Sequence, residues 1–332
     1  MTQQSTLPPE IAAGNPVLAE VVRSGFTESL HRGAVVGLAP DGAPLFSAGA
    51  VDVPIFPRSS NKPMQAAAML RCGLGLEGHL LALAAASHSG EDFHVAGARE
   101  ILAGAGLTEA DLQCPPDLPG DADAQRALLR AGGGPDRVHF NCSGKHAAML
   151  ATCVAAGWPT ASYRDPGHPL QQEIRREVER LAGEPVAATG VDGCGAPLFA
   201  ISLTGLARAF SAVVGAEPGS PERRVADAMR AHPQWTSGTA RPERALMEAV
   251  PGLLVKSGAQ GVEAFALADG RAAAFKIDDG AREARPAVTV AVLRALGADL
   301  SGMDQERLRA LATPPVYGGG REVGEIRATL PF

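Results

Sequence analysis

β-prone segments stand near the two ends of this chain with helical patterns between them, and that order constrains the fold more than any other feature. Gly33–Ala39 and Pro44–Val51 are apolar and β-prone, and the turn signal Pro40-Asp41-Gly42 between them predicts a hairpin. Lys62–Arg71, Leu80–Ala86, Phe93–Leu102, Gly144–Ala156, Leu170–Leu181 and Arg241–Val250 follow as helices, several bounded by glycine. The pattern then returns to strands at Gly252–Lys256, Val262–Ala268 and Arg271–Ile277, with Asp269-Gly270 as a two-residue turn between the last two. A helix near Val288–Leu296 comes after them. Such an order predicts an α+β fold in which N- and C-terminal strands share one antiparallel sheet around a helical middle region. No repeat or clear linker divides the chain, so a single domain over 1–332 is expected, with 1–15 as a flexible N-terminal segment.

Charge and composition narrow the function. A formal net charge of -6 and no basic stripe make nucleic acid an unexpected partner. The longest apolar run, Leu80–Ala86, is far too short to span a bilayer, so no membrane partner is expected. Met1–Glu10 lacks a cationic start followed by an apolar core, and a cytoplasmic location is the expectation. Five cysteines without regular spacing argue for reduced thiols rather than a disulfide framework.

Of the 30 basic residues only four are lysines: Lys62, Lys145, Lys256 and Lys276. Arginine keeps its proton inside a protein, whereas a buried lysine can lose it. Three of the four lysines stand in motif-like strings. Ser59-Ser60-Asn61-Lys62-Pro63 holds an S-x-x-K spacing, which at i,i+3 lets a neutral lysine amine take the serine proton. Moving a lysine from about 10.4 to near 7 takes roughly 5 kcal/mol of desolvation and like-charge repulsion. The same string also reads as an ordinary helix N-cap with a solvated lysine.

Ser87-His88-Ser89-Gly90-Glu91 emerges directly from the apolar run, a placement that suits a nucleophile and equally an N-cap for the next helix. Lys256-Ser257-Gly258 ends a buried strand like the K-T-G element of serine β-lactamases, or forms a plain glycine turn with the lysine in solvent. Asn141-Cys142-Ser143-Gly144-Lys145-His146 and Asp192-Gly193-Cys194-Gly195 are two glycine-flanked polar islands. Their thiolates with a nitrogen ligand suit Zn²⁺, or stand as buried unpaired cysteines.

Taken together, Arg58-Ser59-x-x-Lys62-Pro63-x-Gln65, Ser87-His88-Ser89-x-Glu91, Asn141-Cys142-Ser143-Gly144-Lys145-His146 and Asp192-Gly193-Cys194 resemble the asparaginase II family, the rhizobial-type or class 3 bacterial L-asparaginases. The likeness runs from about Gly33 to Phe332 in unbroken order. It implies a fold like serine β-lactamases and glutaminases, a homodimer, and hydrolysis of L-asparagine to L-aspartate and ammonia. It also implies two serine–lysine tandems, Ser59 with Lys62 and Ser87 with Lys256, and zinc held by Cys142, Lys145 and Cys194. Arg58 and Asp192 would hold the substrate's α-carboxylate and α-amino group, with His146 nearby. The alternatives are a β-lactamase or penicillin-binding-like serine acyl hydrolase, a glutaminase, and a non-catalytic zinc-binding regulator.

Overall fold

The computed structural model describes residues 14–332. Strands β1 (Val17–Arg23), β2 (Phe26–Leu38) and β3 (Pro44–Ala48) open the chain. Helices α1 (Lys62–Arg71), α2 (Gly78–Ala84), α3 (Asp92–Gly104), α4 (Ala122–Arg130), α5 (Ser143–Ala156) and α6 (Pro169–Ala182) follow. A two-stranded ribbon, β4 (Ala188–Val191) with β5 (Pro197–Ala200), separates them from α7 (Leu203–Gly215), α8 (Pro221–Ala231), α9 (Pro233–Thr236) and α10 (Pro242–Ala249). Strands β6 (Leu254–Ser257), β7 (Val262–Ala266) and β8 (Ala272–Ile277) come next, then α11 (Arg285–Ala295) and α12 (Gln305–Ala312), and β9 (Pro315–Gly318) with β10 (Arg321–Ala328) closes the chain.

Both ends of the chain meet in one antiparallel sheet of order β6-β7-β8-β2-β1-β10-β9, with β3 paired to β2. The architecture is therefore α+β with a helical middle region, as expected. Alternation along the central strands feeds two cores. Small side chains such as Ala264, Ala272 and Ala274 face the middle helices α1–α3 and α5–α8. Larger ones such as Val255, Phe265 and Phe275 face α10–α12. β6 is left at the sheet edge, where the end of the strand that carries Lys256 is free to border a cavity.

Within the expected flexible segment Asn15 is anchored: it is buried and donates to Asp278 Oδ1 at 3.0 Å. The remainder of that segment, 1–13, lies outside the described residues. Among the described residues no helix is long and apolar enough to cross a membrane.

Gly33 sits where β2 passes from pairing with β1 to pairing with β8. A Cβ there would run into the Lys276 carbonyl and lie 2.8 Å from Leu18 Cδ1. Gly33→Ala is expected to destabilise the fold by about 1–3 kcal/mol, the usual cost of overpacking, measurable as a lowered midpoint in urea with an unchanged slope.

Candidate active site

The buried run Leu81–Ala86 delivers Ser87 to the wall of a cavity of about 380 Å³ that Ser59, Ser257 and Glu243 also line. Its backbone is held from both sides, for Ser87 N–H donates to the Thr236 carbonyl and His88 N–H to the Asn141 carbonyl, each at 3.0 Å. The Gly90 N–H donates to His88 Nδ1 at 3.2 Å, so the neutral ring donates through Nε2 to Ser143 Oγ at 2.9 Å. Burial, reinforced by His94 and Lys62, keeps that imidazole well below its ordinary pKa. His88 thus ties the Ser87 loop to the Cys142-Ser143 start of α5.

Three of the four lysines are buried, Lys62 at 1% and Lys145 and Lys256 at 2% exposure, so the solvated readings of these lysines do not hold. Lys62 Nζ donates to Ser87 Oγ at 2.9 Å and to the Ala86 carbonyl, and lies 3.0 Å from Cys142 Sγ. Lys256 Nζ reaches the same hydroxyl at 3.0 Å and donates to its neighbouring carbonyl, Ser257 O, at 2.8 Å. Burial pushes Lys256 down, Lys62 adds to the push and Glu243 resists, leaving it at about 7. An amine with that affinity is substantially neutral near pH 7 and can take the Ser87 proton.

Ser59 is placed differently from the serine of a continuous S-x-x-K helix. Arg58–Asn61 form a 3₁₀ turn and the α-helix begins only at Lys62, which turns toward Ser87. Ser59 makes no side-chain hydrogen bond among the described residues, and the helix cap is Asn61, so neither Ser59 nor Ser60 caps α1. Arg58 has φ 54°, a left-handed conformation uncommon outside glycine and characteristic of constrained functional turns. The strand end Lys256-Ser257-Gly258 packs directly on this turn. A Cβ on Gly258 would stand 2.5 Å from the Pro57 carbonyl oxygen, so only glycine allows the approach.

Cys142, Lys145, His146 and Cys194 form a second buried group next to the first. Lys145 Nζ lies 3.1 Å from Cys194 Sγ, and His146 Nδ1 is 2.7 Å from the Tyr163 hydroxyl. A hydrogen bond from Cys194 pulls the Cys142 thiol far down against its burial, helped by Lys62 and Lys145. The same bond, with burial, pushes Cys194 up. Burial lowers Lys145, but Cys194, Cys142 and Asp192 outweigh it and raise this lysine above its ordinary value. Burial and Lys62 thus bring Lys256 close to neutrality, while without a metal the sulfurs hold the proton on Lys145.

Two soft sulfurs and an amine nitrogen are a suitable donor set for Zn²⁺. His146 Nε2 is also buried without a hydrogen-bond partner beside Cys194. Among the described residues no three of His, Cys, Asp and Glu converge as a metal cage, so the fit depends on Lys145 as the third donor.

Arg58 Nε donates to Asp192 Oδ1 at 2.8 Å, linking the Ser59 turn to the Asp192-Gly193-Cys194 loop. Burial pushes the Asp192 carboxyl up, but Lys145 and Arg58 outweigh it and hold the group below its ordinary range. All ten residues singled out in the sequence thus occupy one region, through Lys62 and Cys142. Glu243 and Arg285, which line the cavity as well, carried no sequence signal: an acid in the first turn of a helix is what any N-terminus favours.

The L-asparaginase II family model matches residues 19–328. No curated protein sequence is detectably similar to the chain. Among solved structures, Mglu in its native form in 4.3 M NaCl is 17% identical with a TM-score of 0.42, over 87% of this chain and 65% of Mglu, so the chain spans less than two thirds of that relative's length. A β-lactamase from Mycobacterium bovis is 14% identical with a TM-score of 0.41, over 87% of this chain and 98% of the other. EstCE1, a hydrolase with promiscuous acyltransferase activity, is 14% identical with a TM-score of 0.40, over 84% and 93% respectively. These are partial likenesses of shape, whereas the family model covers nearly the whole chain: it belongs to the L-asparaginase II family of amidohydrolases.

Proposed function

We propose that the chain hydrolyses the side-chain amide of L-asparagine to L-aspartate and ammonia, with Ser87 as nucleophile and Lys256 as its base. The observation that carries this reading is the convergence of two buried lysine amines on one hydroxyl, at 2.9 Å and 3.0 Å. Neutral Lys256 takes the Ser87 proton as Oγ attacks the amide carbon, and the ammonium so formed returns the proton to the leaving nitrogen. The C–N bond breaks and ammonia leaves an acyl-enzyme on Ser87. Water then attacks the ester, with Lys256, neutral again, taking its proton and returning it to Ser87 Oγ as aspartate is released. Lys62 Nζ donates to the same oxygen and stabilises the alkoxide as it forms.

Ser59, across the cavity, is the second serine of the site and relays protons. Arg58 and Asp192 receive the α-carboxylate and α-amino group, with His146 behind them. Cys142, Lys145 and Cys194 would hold Zn²⁺, which when bound replaces the Lys145 proton and adds positive charge beside the reaction centre. A homodimer and a cytoplasmic location belong to the same reading.

The test is ammonia release from asparagine and glutamine, run beside labelling by a fluorescent penicillin, with and without a chelator. Asparagine turnover without penicillin labelling is expected, falling on chelation and restored by added zinc. The glutamine arm sets the side-chain preference. Rapid penicillin labelling with no ammonia would favour the acyl-hydrolase alternative, and tight zinc binding with no amide turnover would favour the regulator. No ammonia from asparagine under any condition would overturn the proposal.

A further inference from the structure

The cavity wall carries charge that the proposed reaction leaves unused. Arg241, Arg282 and Arg285 line it, against Asp117 and Glu243. Arg285 is committed to Glu243 Oε1 at 3.3 Å and to Glu263 Oε2 at 3.8 Å. Glu243 Oε2 is unpaired in that wall, and Arg285 offsets its charge. Asp117 Oδ1 accepts from the Leu118 N–H at 2.9 Å. Arg241 and Arg282, by contrast, make no side-chain hydrogen bond or ion pair among the described residues. Ser237 lines the same cavity at 5% exposure, and its Oγ is buried without a partner. A buried hydroxyl left unpaired is unfavourable until a ligand supplies the acceptor.

The main chain holds this wall in place. The loop 237–241 follows α9, whose Thr236 carbonyl accepts the Ser87 N–H. Gly238 has φ 139°, and a Cβ there would run into Ser89 Oγ, so the loop lies directly on the Ser87-His88-Ser89 string. Glu91 binds it there: Oε1 accepts from Ser89 Oγ at 2.6 Å and from the Thr239 N–H at 2.9 Å, and Oε2 from the Thr239 hydroxyl at 2.7 Å. The anchor that steadies the nucleophile thus also positions Ser237 and Arg241.

We propose that Ser237, Arg241 and Arg282 form a carboxylate subsite on the leaving-group side of the reacting amide, so that the site cleaves β-aspartyl dipeptides as well as asparagine. The proposal rests on the reading of Ser87 as nucleophile and of Arg58 and Asp192 as holders of the aspartyl head. Those two join the Ser59 turn to the Cys194 loop and are not part of the cationic wall. A ligand with its head there and its carbonyl at Ser87 directs its amine along the rest of the cavity. At about 380 Å³ that cavity falls in the range of small-molecule pockets, roughly 300–1,000 Å³, and has room for a second residue. A guanidinium pairs with both oxygens of a carboxylate at once, and the Ser237 hydroxyl adds a further donor. The chemistry is that of the amide already described. Ser87 Oγ bonds to the carbonyl carbon, the C–N bond breaks, and the Lys256 ammonium gives its proton to the nitrogen, which leaves as the amine of the second residue instead of ammonia.

The probes are β-aspartylglycine and β-aspartylglycinamide, whose far ends are a carboxylate and an uncharged amide. In the parent protein kcat/KM is expected to favour the glycine form at least about tenfold, with aspartate and glycine released. Arg241→Gln and Arg282→Gln should each reduce that preference, and the double variant should abolish it. Equal rates for the two probes, or no cleavage of β-aspartylglycine by a protein that turns over asparagine, overturns the proposal. So does a double variant that loses asparagine turnover by the same factor, which would put the arginines on asparagine's own carboxylate. Calorimetric binding of both probes to Ser87→Ala reads the subsite without turnover. Tighter binding of the glycine form that Arg241→Gln weakens supports it, and equal binding, or a preference unmoved by adding both arginine substitutions, overturns it. Absence of asparagine turnover in the parent chain would sink the proposed function, whereas the binding comparison would still judge this inference.

Discussion

Ser87→Ala is expected to lower kcat/KM for asparagine by at least about a thousandfold, roughly 4 kcal/mol of transition-state stabilisation, because Ser87 supplies the oxygen that both lysine amines reach and that forms the acyl bond. Ser59→Ala, which removes a hydroxyl without a hydrogen bond to either lysine, is expected to cost far less, about tenfold to a hundredfold. The contrast separates nucleophile from relay. Rapid-quench mass analysis adds a second readout: an aspartyl adduct on the peptide carrying Ser87 in the parent enzyme, and none in Ser87→Ala. Equal losses in the two variants, or an adduct mapped to Ser59, would reverse the roles. A fall of less than tenfold in both would exclude the serines as nucleophiles altogether.

The parts of this fold that could be read in advance are those where local pattern and tertiary placement agree. The Pro40-Asp41-Gly42 turn predicted the β2–β3 hairpin, and the pairing of Val35 with Ala48 bears it out. Lys62–Arg71 was predicted with the bounds the helix has. β1 went unread although Leu18, Ala19 and Val21 are buried, whereas the first half of β2 could not be read because Phe26–Leu30 is exposed and its alternation is not tied to a core. β9 and β10 escaped for a related reason, since Arg321–Ala328 is rich in charge and is held by its neighbours rather than by its own burial.

The site divides along the same line. Scarcity of lysine marked Lys62, Lys145 and Lys256 before any coordinates, and all three are buried. Their partners could not be read, because the contact between Lys62 and Ser87 spans 25 residues and depends on how α1 packs beside the end of α2. The i,i+3 spacing pointed instead to Ser59, and lost its force once the backbone at Arg58 turned left-handed and Ser59 fell in a 3₁₀ turn. Charge state is still less legible. Lys145 and Lys256 are equally buried, yet neighbouring sulfurs outweigh burial and raise one while burial and Lys62 lower the other.

That difference makes Lys256→Arg the sharpest test of lysine chemistry. Arginine keeps the positive charge and much of the reach, so a Lys256 that served only to hold Ser87 or to counter Glu243 would tolerate it. A Lys256 that acts as a base would not, because a guanidinium cannot give up its proton near neutral pH. The expected loss is at least about a hundredfold in kcat/KM, the lower end of what a positioned general base contributes. The pH profile sharpens the test. The neutral fraction of Lys256 grows as pH rises through about 7, so the parent rate should climb through that region and level off above it. In Lys256→Arg that inflection should vanish rather than move, leaving a low and nearly flat rate. A variant that kept most of its activity, or kept the inflection near pH 7, would transfer the role of base to another group. Lys62, at 2.9 Å from the same hydroxyl, would then be the side chain to replace next.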